Sequence, residues 1–127
     1  MAVGQMRGTI RITISTCRWH PEIADCLATG GRDKNLKIWN TSGTRPSLDS
    51  LISTLGPVGQ VRWRPTSRMQ IASSSIALDM AVNIWDIRRP HVPNTLFDKH
   101  QGTTAGIQWK GADPNVLLSL TKVERDE

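Results

Sequence analysis

Apolar and polar residues alternate over short runs along most of this chain, and Gly, Pro, Asn, Asp or Ser interrupt the runs. Alternation at period two predicts half-buried strands. Thr9-Ile10-Arg11-Ile12-Thr13-Ile14 alternates in this way and predicts an outer strand or an irregular lead-in over 1–13. Further strands are predicted at 15–19, 26–30, 36–39 and 51–55, then at 58–63, 70–75, 82–85 and 95–97, then at 104–109 and 116–120. In the first of these, period two puts Ser15, Cys17 and Trp19 on one face. Pro21 ends that strand, because proline offers no donor to a ladder. Cys26-Leu27-Ala28-Thr29-Gly30-Gly31 is dominated by small residues, as a strand requires where neighbouring sheets pack closely. Arg32-Asp33-Lys34-Asn35 reads as a tight turn, 41–46 as a loop and Gly56-Pro57 as a turn. No window supports a helix of useful length.

The strands recur in order. Leu36-Lys37-Ile38-Trp39-Asn40 returns as Val82-Asn83-Ile84-Trp85-Asp86, with the tryptophans 46 positions apart. Cys17-Arg18-Trp19-His20-Pro21 returns as Val61-Arg62-Trp63-Arg64-Pro65, and again as Ile107-Gln108-Trp109-Lys110. All five tryptophans fall into this two-beat pattern. A period of roughly 40–45 residues with a Trp-Asp signature is that of a four-stranded propeller blade. The expected fold is all-β, a partial β-propeller with two complete four-stranded blades plus part of a third. The blades are expected at about 14–55, 58–97 and 104–122, followed by a charged tail over 123–127. The repeat stops at Lys122, before a third strand, so the chain is expected to be a propeller fragment.

Composition narrows the function classes. The chain has 127 residues, a net charge of +5 and a sequence pI of about 9.9. Basic character permits attraction to nucleic acid or acidic surfaces. The basic residues are dispersed, however, and the densest groups are Arg62-Trp63-Arg64 with Arg68, and Arg88-Arg89. A basic β-domain that binds nucleic acid is the alternative reading. Only two cysteines occur, and the N-terminus lacks the apolar core of a signal peptide. Both features predict a reducing, intracellular compartment. No apolar run approaches the length of a membrane span.

Candidate chemistry is sparse. Cys17, His20 and Cys26 imitate a zinc spacing, but a tetrahedral site takes four ligands, and Cys17 and His20 differ in strand parity. Ser73, His100 and Asp79 could be drawn as a catalytic group, yet no nucleophile elbow or Gly-rich phosphate loop accompanies them. The expectation is therefore no catalytic residue, no metal and no cofactor. Trp19, Trp39, Trp63, Trp85, Trp109, Thr29, Asp33, Ser73 and Asp86 read as structural residues of the blades.

These motifs resemble WD-repeat propellers. Trp39-Asn40 and Trp85-Asp86 stand where that family has its Trp-Asp pair, and Leu27-Ala28-Thr29-Gly30-Gly31-Arg32-Asp33 resembles its small-residue strand and aspartate turn. The run Ile84-Trp85-Asp86-Ile87-Arg88-Arg89-Pro90-His91-Val92-Pro93 is similar, more narrowly, to WD-repeat subunits of the SEA and GATOR complexes. The resemblance implies a non-catalytic scaffold in a complex that regulates TOR complex 1 in response to amino acids. It implies other protein subunits as partners, no small-molecule substrate and no membrane insertion. It places the chain in the cytosol, or at the lysosomal membrane through partners. The family's zinc-binding RING-like end has no counterpart here. The family also joins a histidine, a Ser or Thr, the third-strand Trp and a turn aspartate in one polar network. Blade one supplies Thr29, Trp39 and Asp33 without the histidine; blade two supplies Ser73 and Trp85, with Asp79 displaced; blade three supplies His100 and Ser119. Propellers bind through the loops at blade ends, so Arg32, Asp33, Lys34, Arg88 and Arg89 are the expected interaction residues.

Overall fold

The computed structural model describes residues 14–54, 56–65, 67–75, 82–90, 92–93, 95–97, 104–111 and 113–121. The lead-in over 1–13, the turn over 76–81 with Asp79, His91, the loop holding His100 and the tail over 123–127 lie outside the described residues.

Every regular element among the described residues is a strand. The first antiparallel sheet runs β1 (Ile14–Trp19), β2 (Cys26–Gly31), β3 (Asn35–Asn40) and β4 (Ser47–Ser53), paired in sequence order. The second repeats this order with β5 (Val58–Trp63), β6 (Gln70–Ser75), β7 (Val82–Asp86) and β8 (Thr95–Phe97). A third, two-stranded sheet pairs β9 (Thr104–Lys110) with β10 (Asp113–Thr121). This is a partial β-propeller of two four-stranded blades and a half-blade.

Two strands differ from expectation. The outer strand β4 begins at Ser47, not at Leu51, because Ser47 and Leu48 pair with Asn40 and Trp39. Its polar Ser47, Asp49 and Ser50 imitate a loop, yet an outer strand meets solvent and tolerates them. β10 likewise starts at Asp113, ahead of a register shift between Asp113 and Leu117.

The core lies between blades rather than within them. Ala28, Leu36, Ile38 and Ile52 of blade one form one buried cluster with Val58, Val61, Trp63, Ile71 and Trp85 of blade two. Ala72, Val82 and Ile84, from the opposite face of blade two, cluster with Ile107 and Trp109 of the half-blade. Blade two is thus covered on both sides, and β7 is buried along its whole length. Among the described residues, blade one keeps one face open, along the register row Trp19, Leu27, Trp39 and Leu48.

β1 and β5 carry the same irregularity, between Ile14 and Thr16 and between Val58 and Gln60. Such a bulge breaks the alternation of faces. Ser15 therefore does not share the face of Cys17 and Trp19, contrary to the period-two expectation. Its hydroxyl donates to the Gly30 carbonyl at 3.2 Å and to the carbonyl of Val58 in the next blade.

Candidate protein-interaction surfaces

The blades are joined by a repeated clasp. Trp63 Nε1–H donates to the Arg18 carbonyl at 3.2 Å, and Trp109 Nε1–H donates to the Arg62 carbonyl at 3.1 Å. In each case the acceptor precedes the equivalent tryptophan of the preceding blade. The residue after that tryptophan covers the ring. His20 lies 4.5 Å from Trp63 between ring centroids, and the Arg64 guanidinium lies 5.1 Å from the Trp109 centroid. His20 is itself fixed: Nδ1 accepts the backbone N–H groups of Glu22 and Ile23, and Nε2–H donates to the Arg68 carbonyl at 2.9 Å. Nothing in the sequence distinguished His20 as an inter-blade contact. The clue lay in its position, since Arg64 follows Trp63 as His20 follows Trp19.

The tryptophans that share one motif differ in environment. Trp63 and Trp109 are 7% and 6% exposed, whereas Trp19 is 61% exposed, because none of the described strands covers its face. Trp39, on the same open face, is only half-buried, and Trp85 is buried. Trp39 and Trp85 each donate Nε1–H to a second-strand hydroxyl, Thr29 Oγ1 and Ser73 Oγ, both at 2.9 Å.

The five expected interaction residues do not form one surface. Arg32, Asp33 and Lys34 occupy the β2–β3 turn, at the end of the blade where Gly30 pairs with Leu36. Arg88 and Arg89 follow β7 at the opposite end, where Gln70 pairs with Asp86. In an antiparallel sheet paired in sequence order, the connection before the third strand and the one after it lie at opposite ends. Arg32, Lys34, Arg88 and Arg89 are exposed on their respective rims. Asp33 lies outside the Trp39–Thr29 pair. Its carboxylate accepts the Asn35 backbone N–H at 3.2 Å and lies 3.9 Å from Lys37 Nζ, so it orders the turn. Lys34 takes a φ of 65° there.

The arginines around Trp63 are drawn into contacts between blades. Arg62 Nε–H donates to the Ile107 carbonyl at 3.3 Å, and Arg64 reaches Asn115 Oδ1 at 2.8 Å. Burial, and then the nearby Arg18 charge, push the Arg62 guanidinium down from its ordinary value. Arg68 pairs with Glu22 across the blade boundary at 3.4 Å. The thiols are not brought together with the His20 ring: Cys17 sits on the open face of blade one, and both His20 nitrogens serve backbone groups. Burial, and then Asp49, push the Cys26 thiol up, away from the reactive thiolate.

Comparison with known proteins gives a consistent set of relatives. The chain is 47% identical over 109 residues to the Drosophila melanogaster GATOR2 complex protein Wdr24, which covers 86% of this chain and 14% of the relative. It is 42% identical over 107 residues to the Homo sapiens GATOR2 complex protein WDR24, covering 84% of this chain and 14% of that one. A WD repeat-containing protein of Schizosaccharomyces pombe is 35% identical over 101 residues, covering 76% of this chain and 12% of its own length. The chain belongs to the WD-repeat family. No family model matches it. The WD-repeat chain described here spans only about one-seventh of the length of the GATOR2 relatives.

The Trp-Asp signature of this WD-repeat chain has a local physical role. Asp86 Oδ1 accepts the Arg88 backbone N–H and Arg88 Nε–H, both at 2.9 Å, while Oδ2 accepts from Arg88 Nη2 at 2.6 Å. In blade one Asn40 Oδ1 caps the equivalent turn by accepting from the Ser42 N–H at 2.9 Å. Both are Asx-type turns. The side-chain hydrogen bond from Arg88 holds the buried Asp86 carboxyl below the usual carboxylate range. A carboxylate depressed in the folded state contributes stability above its unfolded pKa of about 3.9, and that contribution is lost as pH falls through the folded value. Asp86→Asn keeps the shape but loses the charge. Its denaturant midpoint should fall below wild type at pH 7, and the gap should begin to narrow as pH drops below about 4 and close only below the folded pKa of Asp86, where both side chains are neutral. A gap that stays constant down to pH 2 would remove the charge from the account.

Proposed function

We propose that this chain is a non-catalytic scaffold segment of a GATOR-type complex, contributing to control of TOR complex 1 in response to amino acids. The observation that carries the reading is its 47% and 42% identity to GATOR2 complex proteins over most of its length. The geometry supports it. A stacked β core holds two charged rims in fixed positions, and rigid scaffolds present loops for binding in this way. Partners are other protein subunits rather than a small-molecule substrate. The chain works in the cytosol and reaches the lysosomal membrane through those partners, without inserting into it. Among the described residues, no helix is long and apolar enough to cross a membrane. The nucleic-acid alternative gains little, because Arg62, Arg64 and Arg68 are engaged between blades.

Of the two rims, the Arg88–Arg89 end is the stronger candidate for the subunit contact. Arg88 is fixed by Asp86, so the neighbouring guanidinium of Arg89 is presented from an ordered turn. Arg89→Glu should reduce co-purification of GATOR-type subunits several-fold while leaving the thermal midpoint unchanged. Arg32→Glu with Lys34→Glu tests the other rim in parallel. Unchanged recovery with Arg89→Glu, and loss with the Arg32 and Lys34 pair, would transfer the site to the opposite end.

A further inference from the structure

The clasp between blades has three parts, and each recurs. A first-strand tryptophan donates to the carbonyl before its counterpart, at Arg18 and at Arg62. The residue after that counterpart, His20 or Arg64, covers its ring. A small second-strand residue, Ala28 or Ala72, packs in the same buried cluster as the tryptophan and the residue two before it. Trp19 occupies the equivalent position in blade one, and among the described residues no blade meets it. The outer face of the half-blade carries the matching positions: the Gln108 carbonyl, the exposed Lys110, and the exposed Leu118 in register with Gln108.

We propose that a second copy of this chain seats its Trp19 face on the outer face of the first copy's half-blade. Trp19 Nε1–H then donates to the Gln108 carbonyl, and the Lys110 ammonium covers the indole. A cation over an indole face is favourable, and more so when desolvated. Side-chain volumes also trade across the contact. Leu118 stands where Ala28 and Ala72 stand, and it faces Cys17, which replaces the larger Val61 and Ile107. At the other end the fit is poorer. Leu120 occupies the position of Gly30, where a Cβ already falls 2.9 Å from the Val58 Cβ, and it faces Ile14. The contact is therefore closed at Trp19 and held apart at Ile14. It is head-to-tail, so it extends to a ring or an open chain rather than a two-fold dimer.

Sedimentation velocity over a concentration series tests this on the whole 127-residue chain. The mass should rise with concentration in wild type. Trp19→Ala should weaken association by about thirtyfold, as expected for a central buried aromatic, and Lys110→Glu by about tenfold. Leu120→Gly should strengthen it. Trp19 is exposed, so its variant should keep the wild-type thermal midpoint in dilute solution, which separates lost association from lost folding. A monomer at every concentration would overturn the proposal. So would association that responds to Trp19→Ala but not to Lys110→Glu and Leu120→Gly, because that result describes two Trp19 faces meeting each other.

Discussion

Trp85→Ala is expected to unfold the second blade and, with it, most of the cooperative structure. Trp85 is buried in the cluster that joins blades one and two, and its indole N–H satisfies Ser73 Oγ at 2.9 Å. Truncating a buried tryptophan to alanine typically costs about 3–5 kcal/mol. A small domain has only about 5–15 kcal/mol in all. The loss is larger here than a local contact suggests, because blade two carries a buried cluster on each of its faces. Urea titration followed by circular dichroism should show a much lower midpoint, or no folded baseline. Trp19→Ala is the control, since the same residue type at an exposed position should change the dilute protein little. Equal midpoints for the two variants would show that the blades do not share a core.

The second large effect is expected at Gly30. Replacing glycine with alanine in an ordinary strand often stabilises by about 0.4–1 kcal/mol, through the unfolded chain. Gly30 has no positive φ, so the backbone does not forbid a side chain. Space does. A new Cβ would fall 2.9 Å from the Val58 Cβ, closer still to Val58 Cγ1, and 3.1 Å from Thr16 Cγ2. Val58 is β-branched, buried and stiff, so it cannot swing aside. Overpacking of this kind costs about 1–3 kcal/mol, which exceeds the entropic gain and sets the sign. Gly30→Val should push β2 away from β5 and destabilise more than Gly30→Ala. Val58→Ala should partly restore Gly30→Ala in a double-mutant cycle, because the two sites touch. Additive effects would place the strain elsewhere.

The fold was legible because its period is carried by tryptophan, a residue too large and rare to recur at 44 and 46 positions without structural cause. Strand order, the small residues of β2 and the half-blade all followed from that period. Exposure did not follow. Trp19 and Trp63 have the same local sequence context, yet only the presence of a preceding blade decides which is buried. Ser15 turned to the wrong face because a one-residue bulge reverses parity, and no residue type in β1 announces it. The candidate interaction residues follow from their place in loops at blade ends, which does not by itself separate one rim from the other. Pairing placed Arg32 to Lys34 and Arg88 to Arg89 at opposite blade ends. Arg64 illustrates the remaining gap: it reads as surface charge, but the next blade brings Trp109 beneath it.

The lock between successive blades is a tryptophan N–H bonded to the preceding first strand. Hydrogen exchange at the five indole N–H groups, resolved by NMR in dilute protein, tests it most directly. Trp39, Trp63, Trp85 and Trp109 should exchange slowly, because each donates to a protein acceptor. Trp19 should exchange rapidly, because its face is open. Indole protons of Trp63 and Trp109 that exchange as fast as that of Trp19 would contradict the stacked arrangement.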